Sequence, residues 1–498
     1  MPGKPLAIVD LGSNSGRVVV LRIDPLGHLE ILADGRSPLR LALDVDKNGR
    51  LSGEAIQRTV DALRDFQAIA AGTGAGKTIA VATSAIREST NSDELLQRVL
   101  VESGLAVRVI DGQEEARYAF LGAIYGIQAE HGVVVDLGGG SIELSYFRDR
   151  ALADSWTFPL GALRLSDLFL KSDPPTKAEV GFLRKHVRRL FEQDELPRLQ
   201  RDEALIGTGG TIRNLAKMDR HGRTYPIPRL HGYVLSRRRV QELSDVITSR
   251  PHSRRKAIPG LNADRADSII GGVLVAEATM DVLGADDMTV TEQGLREGLV
   301  YDSVRTPPPP PEEVRTMSVA ALARRFTSWD PGRADRRGRI AALLEQTVDR
   351  GADSEHEATL SHAAAILDIG RSIDYYRRYE HTADILTESD LAGFSHRDLA
   401  LLAAVVRQAG DEKMSLRMYR PLLGPGDRDP VARLATILAM ADEIEHRIGP
   451  GQSLPVVREE RKRQVILRAP LYDGYREGLL ADRFHRVFGK RLIFEPQP

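Results

Sequence analysis

The chain reads Leu6-Ala7-Ile8-Val9-Asp10-Leu11-Gly12-Ser13-Asn14-Ser15 near its start, and Val133-Val134-Val135-Asp136-Leu137-Gly138-Gly139-Gly140-Ser141 further along. Each stretch is an apolar run, an aspartate and a Gly/Ser loop. A second β-branched run follows each, Val18-Val19-Val20 and Ile142-Glu143-Leu144. The pattern predicts strand, acidic turn, loop and returning strand: a hairpin whose tip offers backbone N–H groups to an anion. Glycine allows the positive φ angles of such a tip and a close backbone approach to phosphate. The aspartate can hold a metal or a water. A plain tight hairpin uses the same residues, so one stretch decides little. Two of them, each opening an α/β stretch, predict a pair of tips gripping phosphate from both sides.

At 498 residues the chain is too long for one core and predicts two to four domains. Its 42% hydrophobic and 28% charged content is that of a soluble globular protein. No apolar run is long enough for a bilayer, and the first strand begins too early to leave room for a signal peptide, so no membrane partner is expected. The absence of cysteine excludes disulfides, thiol nucleophiles and Cys-type metal sites, and fits the cytoplasmic location expected here. The formal charge of −1 does not advertise an anionic polymer, so attraction to one has to come from local patches. Three basic clusters are candidates: Arg184, Lys185, Arg188 and Arg189; Arg237 to Arg239; and Arg254, Arg255 and Lys256. Each is either a solvated helix face or part of a surface for a charged polymer. Aromatic residues, at 5%, do not interleave with them, which argues against a specific nucleic-acid partner.

Residues 1–130 read as α/β. Ile56, Val60, Leu63, Phe66 and Ile69 recur at helical spacing over Glu54–Ala70, and Ile79–Ala82 and Val107–Ile110 read as strands. The second hairpin restarts the pattern over 131–306. There Ala204–Ile206 is a strand entering the turn Gly207-Thr208-Gly209-Gly210-Thr211, and Met288–Thr291 precedes Glu292-Gln293-Gly294-Leu295-Arg296-Glu297-Gly298. Pro307 to Pro311 predict a stiff, extended linker. Beyond it, 312–448 is Ala/Leu-rich and helical (Val314–Thr327, Arg336–Val348, His356–Ile369, Arg397–Gln408 and Pro430–Arg447), and 449–498 is a small α/β region. Gly74-Ala75-Gly76-Lys77-Thr78 imitates the end of a phosphate-binding P-loop. It lacks the earlier glycine, the position being Ala71, and has helix before and strand after, so it reads as a helix terminus.

Asp111 is a natural N-cap for the helix it precedes, and Glu114 completes a capping box. Glu115 lacks such a structural duty, with small Ala119 and Gly122 one and two turns on. It is a candidate general base, or a glutamate favoured by the helix dipole. Strand alternation puts Ser141, Glu143 and Ser145 on one face. With Asp136 and Asp10, Glu143 could form the oxygen-only site that Mg²⁺ prefers; a solvated strand glutamate is the other reading. Arg87, just past a buried strand, could clamp a phosphate or make a surface ion pair.

Taken together, DLGSNS at 10–15, ATSAIRES at 82–89, GQEEAR at 112–117, VVDLGGGSIEL at 134–144, GTGGT at 207–211, RADSIIGG at 265–272 and EQGLREG at 292–298 resemble the exopolyphosphatase / guanosine pentaphosphate phosphohydrolase family of the actin, sugar-kinase and heat-shock-chaperone ATPase superfamily. The resemblance implies two actin-like, ribonuclease H-like lobes with the active site in the cleft between them. It implies Glu115 as the base activating water, Arg87 as a phosphate ligand, and Asp136 and Glu143, with Asp10, as the Mg²⁺ site, Mn²⁺ being a substitute. Gly12, Ser13, Asn14 and Ser15, with Gly138, Gly139, Gly140 and Ser141, become two phosphate clamps, joined by Gly209, Gly210 and Thr211. The implied substrate is inorganic polyphosphate, with guanosine pentaphosphate or tetraphosphate as the alternative and a non-catalytic sensor as a rival reading; a homodimer is expected.

The helical region resembles the HD-like domain of the long family members. An HD metal site wants adjacent His-Asp, and this chain has Leu367-Asp368. His362 and His381 remain, so the expectation is a retained fold without a competent dimetal site.

Overall fold

The computed structural model describes residues 4–24, 27–304, 308–349, 354–448, 456–460, 464–469 and 478–496. The chain forms two compact units, Met1–Arg223 with Leu230–Val314, and Thr224–Arg229 with Arg315–Pro498.

The first unit holds two sheets built on the same plan. β1 (Leu6–Leu11), β2 (Ser15–Ile23), β3 (Leu29–Pro38), β4 (Lys77–Ala82) and β5 (Val107–Val109) lie in the order β3-β2-β1-β4-β5. β6 (Gly132–Leu137), β7 (Ile142–Arg148), β8 (Ala151–Phe158), β9 (Ala204–Thr208), β10 (Tyr233–Ser236) and β11 (Asp287–Val290) lie in the order β10-β11-β9-β6-β7-β8. The strand ending in the aspartate is interior in each. It pairs antiparallel with its hairpin partner on one side and parallel on the other, β1 with β4 and β6 with β9. Both tips therefore sit at the carboxyl ends of parallel strands, where open α/β sheets gather their ligands.

The alternation of the strands decides which helix covers which face. Val9, Val18 and Val20 bury one face of the first sheet against Ile56, Val60, Leu63 and Phe66 of the helix Gly53–Gly72, which Ser52 caps through the Ala55 amide. Ile8, Val19 and Val81 point the other way, into a core shared with Phe120 and Ile124 of the helix Gly112–Gly126 and Leu299 and Val300 of the helix Leu295–Val304. Val134, Phe147 and Ile206 of the second sheet complete that core, so these two helices form a layer between the sheets. Glycine makes the layer thin: a Cβ at Gly122 would overlap the Gly294 carbonyl, and one at Gly298 the Tyr118 carbonyl. The helix Gly53–Gly72 gives way to β4 at Lys77, so Gly74–Thr78 is a helix terminus and a strand start.

Ion pairs tie the two sheet systems together beside the tips. Arg164, buried, holds Asp46 at 3.0 Å, Arg40 holds Asp267 at 2.6 Å, and Arg36 holds Asp264 at 2.6 Å.

The second unit contains the helices Pro331–Val348, Ser354–Ile366, Arg378–Glu388, His396–Gly410 and Arg428–Glu445. A three-stranded sheet follows: β12 (Val456–Glu460), β13 (Gln464–Ala469) and β14 (Arg491–Pro496), in that order, with the helix Gly478–Phe488. The expected helices lie within a few residues of these bounds, whereas Arg378–Glu388 was not anticipated. Nor is the proline run a linker throughout: Pro311 opens the helix Pro311–Ala323, because the first-turn N–H it lacks would have no partner inside the helix. Pro307, with residue 306 and the expected boundary at 449, lies outside the described residues. Ile227, fully buried, joins Leu344, Leu367, Leu402 and Leu438 in this unit's core. Among the described residues no helix is long and apolar enough to cross a membrane.

His362, Asp368 and His381 are not gathered into one site. His362 packs edge-on to Phe394, and burial lowers its pKa to about 4. Asp368 accepts from the fully buried Arg337 (2.6 Å), whose guanidinium also donates to Asp442 (2.9 Å) and the Ala364 carbonyl (3.0 Å). Among the described residues, the side chains close enough to share a cation are Asp442, Glu445 and His446. Their carboxylates already face guanidinium groups: Arg337 and Arg378 at Asp442, Arg333 and Arg336 at Glu445.

Candidate active site

The two hairpin tips close in the same way. Gly12 N–H donates to Ser15 O (3.2 Å), and Gly138 N–H to Ser141 O (3.0 Å). The loop carbonyls turn away from the tips: Ser13 O accepts from Ala42, Asn14 O from Leu39 and Arg40, and Gly139 O from Leu163 and Arg164. The amides of Ser13, Asn14 and Gly139 are thereby left without an acceptor among the described residues, as an anion site requires. The tips abut. A Cβ at Gly139 would lie 3.1 Å from Asn14 Cβ, and one at Gly140 would lie 2.6 Å from Ser13 Oγ and 2.7 Å from Ser84 Oγ. Those hydroxyls hydrogen-bond to each other at 2.7 Å, so position 140 has room for glycine alone.

A cavity of about 130 Å³ opens between the tips, lined by Gly12, Ser13, Asn14, Ser15, Gly138, Gly139 and Ser141. Six carboxylates line it: Asp10 and Asp136 from the ends of β1 and β6, Glu143 from β7, Glu115 from the first turn of Gly112–Gly126, and Glu292 and Glu297, the last accepting from the Gly294 amide at 2.8 Å. Asp111 and Glu114 form the capping box, which leaves Glu115 to point inward, 8% exposed. Arg87 donates to Glu115 Oε2 (3.2 Å) and to the Ile110 carbonyl (2.7 Å), and does not itself line the cavity. Gly209, with φ +97°, sits where a Cβ would come 3.0 Å from Asp136 Oδ1. Gly210 lies under the Arg265 guanidinium, and Gly140 and Thr211 are packed behind the lining.

Four arginines that sequence reasoning did not assign also line the cavity: Arg17, Arg213, Arg265 and Arg296. Arg17 was findable, since it is the cross-strand partner of Asp10. Arg213 follows the Gly209–Gly210 turn, and Arg265 and Arg296 sit in segments distant in sequence. Mutual repulsion, added to burial, brings Arg17 down to about 9 and Arg265 to about 10, and Arg213 is lowered for the same reasons. Arg17 and Arg265 have no hydrogen bond or ion pair from their guanidinium groups to a described residue. Guanidinium groups crowded against one another, beside amides without acceptors, form an anion site.

On the acidic side burial dominates. It raises Asp136 to about 6 and Asp10 also, and holds Glu115 and Glu143 well above the usual carboxylate range, with their neighbours' negative charge adding to the rise. Arg87 opposes the shift at Glu115. Glu143, 1% exposed, leaves Oε1 buried without a hydrogen-bond partner among the described residues. These are the oxygen donors a hard divalent cation takes, and Glu143 Oε1 is unclaimed. No three of them converge closely enough to hold an ion by themselves, so oxygens of substrate or water would have to complete the shell.

Two abutting Gly/Ser tips with amides that lack acceptors, an arginine cluster and buried carboxylates are an arrangement suited to phosphoryl chemistry. The Ppx/GppA phosphatase family model matches residues 19–306, and the model for domain III of that family matches residues 314–464. Exopolyphosphatase 1 of Mycobacterium leprae is 31% identical over 299 residues, 59% of this chain and 88% of that protein. Exopolyphosphatase 1 of Mycobacterium tuberculosis is 30% identical over 299 residues, 59% of this chain and 87% of that one. The crystal structure of the Aquifex aeolicus Ppx/GppA family member matches with a TM-score of 0.54 at 30% identity, covering 61% of this chain and 98% of that one. The chain belongs to the Ppx/GppA phosphatase family, metal-dependent phosphatases of actin-like fold.

Proposed function

We propose that the protein is an exopolyphosphatase, releasing terminal orthophosphate from linear inorganic polyphosphate. The observation that carries this reading is that one small cavity is lined by the two Gly/Ser tips, by Arg17 and Arg265, whose guanidinium groups have no partner among the described residues, and by Glu115. The amides of Ser13, Asn14 and Gly139 and the arginines hold the terminal phosphate and its neighbour. Glu115, oriented by Arg87, takes the proton of the attacking water. Asp10, Asp136 and Glu143 would hold Mg²⁺, with Mn²⁺ as a substitute. A cation there would supply charge neutralisation at the transferring oxygens and would favour the ionised carboxylates. The exopolyphosphatase names of the mycobacterial relatives support the choice of polymer.

The test is orthophosphate release from long polyphosphate and from guanosine pentaphosphate, side by side, with Mg²⁺ and with excess chelator. The expectation is faster release from polyphosphate, loss on chelation, and a higher Mg²⁺ requirement in Asp136→Asn and Glu143→Gln. Faster release from guanosine pentaphosphate would transfer the assignment to that substrate, and turnover surviving exhaustive chelation would remove the metal site.

A further inference from the structure

The second unit contains a cavity of about 680 Å³ between the ends of the helices His396–Gly410, Arg428–Glu445 and Gly478–Phe488. That volume is in the range of small-molecule sites, roughly 300–1,000 Å³. Arg417, Arg420, Arg428 and Arg483 converge on it. The first three are exposed, and their guanidinium groups make no hydrogen bond or ion pair with a described residue. Arg483 is 7% exposed and anchored in the floor, its Nε donating to Thr436 Oγ1 (2.9 Å) and its Nη1 to the Ala409 carbonyl (3.3 Å).

The two lining acids do not balance these charges. Glu412 is paired with Arg486 (2.6 Å) and Asp427 bidentately with Arg397 (2.7 and 3.0 Å), both arginines lying outside the lining. Arg397 also holds the Asp427 carboxyl below its ordinary pKa, so it remains charged and engaged with that partner. The net field inside the cavity is positive. Leu416, Leu423, Pro425, Ala432 and Val487 give the wall an apolar part, beside which Gln408 and Ser415 offer uncharged polar groups. A bare inorganic polyanion gains nothing from such a wall, whereas a ligand with phosphates at one end and an apolar-faced ring at the other uses both parts.

We propose that this cavity is a second ligand site, for a nucleoside polyphosphate, separate from the site that hydrolyses phosphoanhydrides. The guanidinium groups take the phosphates and the apolar wall takes the base. The site requires nothing of the hydrolytic reading and would survive its failure.

Isothermal titration calorimetry of the full chain with ATP, GTP and tripolyphosphate tests it. An Arg17→Ala, Arg265→Ala background weakens binding at the first site. In that background a nucleotide should bind saturably, at least tenfold tighter than tripolyphosphate. Arg420→Glu with Arg428→Glu should weaken it by tenfold or more, while circular dichroism and Tm stay unchanged, since both side chains are exposed. Arg420→Lys with Arg428→Lys should keep most of the binding. Absence of saturable binding by either nucleotide, indifference to the charge reversal, or tripolyphosphate binding as tightly as the nucleotides would each overturn the proposal.

Discussion

Arg17 and Glu143 occupy the same place in the two hairpins: Arg17 is the cross-strand partner of Asp10, and Glu143 that of Asp136. Both follow a loop closed by the same Gly N–H to Ser O hydrogen bond, and both line the one cavity. The duplicated element thus supplies a cation from one copy and an anion from the other. That asymmetry suits phosphoryl transfer to water, in which an anionic group has to be held while a cation and a proton acceptor stand on its far side.

Arg17→Ala should therefore damage substrate capture. Loss of charge-assisted hydrogen bonds costs about 1.5–3 kcal/mol, roughly a ten- to hundredfold fall in kcat/KM. Arg17→Lys should recover only part, since a point charge does not reproduce the guanidinium fork. Steady-state phosphate release from polyphosphate measures both. An unchanged kcat/KM in Arg17→Ala would remove this side chain from the substrate site.

Glu115→Gln should retain the fold and substrate binding but lower kcat by about 10²–10⁴-fold, because the amide cannot accept the proton. Glu114→Gln should cost far less, since glutamine also closes a capping box with Asp111. If Glu114→Gln is the more damaging change, the base has been assigned to the wrong glutamate. Arg87→Met, which leaves Glu115 without its guanidinium partner, should move the acidic limb of the kcat profile to higher pH, the direction set by losing a charge that lowers the carboxyl pKa.

The hairpins were legible in sequence because their period-2 alternation and Gly/Ser tips are local signals, and because they occur twice. Glu143 was legible for the same reason, and the same alternation applied to the first hairpin would have picked out Arg17. Arg265 and Arg296 stand inside the quoted stretches RADSIIGG and EQGLREG, but that they meet Arg213 at one cavity follows only from the crossing of helices and loops remote in sequence. Arg337 misleads in the opposite direction. It is one of four arginines over 333–339, nothing in the sequence sets it apart from the others, and yet it is fully buried. Buried arginine is rare, and here it is tolerated because Asp368 and Asp442 neutralise it from two other elements.

Arg337→Met should accordingly destabilise the second unit severely. It leaves two buried carboxylates without the cation between them, and breaking such a network costs about 3–5 kcal/mol. The double change Arg337→Met, Asp368→Leu should recover part of the loss, because it removes one stranded carboxylate while Asp442 keeps Arg378 as its partner. Differential scanning calorimetry should show the effect in one transition and leave the other in place. A fall in Tm no larger than that of an exposed Arg→Met change would mean the network contributes little.

Truncation in the proline run has a consequence set by Ile227. The segment Thr224–Arg229 interrupts the first unit's sequence but belongs to the second unit, whose core buries Ile227 completely. A chain ending at residue 306 keeps both sheets, the two hairpins and every residue lining the cavity between them. It should fold and hydrolyse short polyphosphate. The same chain strips Ile227 of its surroundings, giving up the roughly 1.5–3 kcal/mol of burying such a side chain and leaving an apolar loop in water. The fragment should therefore self-associate, and Ile227→Asp should return it to a monomer in sedimentation velocity without loss of turnover. In the full-length chain the same substitution should instead destabilise, because there the carboxylate enters an apolar core. A fragment that is inactive even as the Ile227→Asp monomer would show that the catalytic unit needs the remainder of the chain to fold.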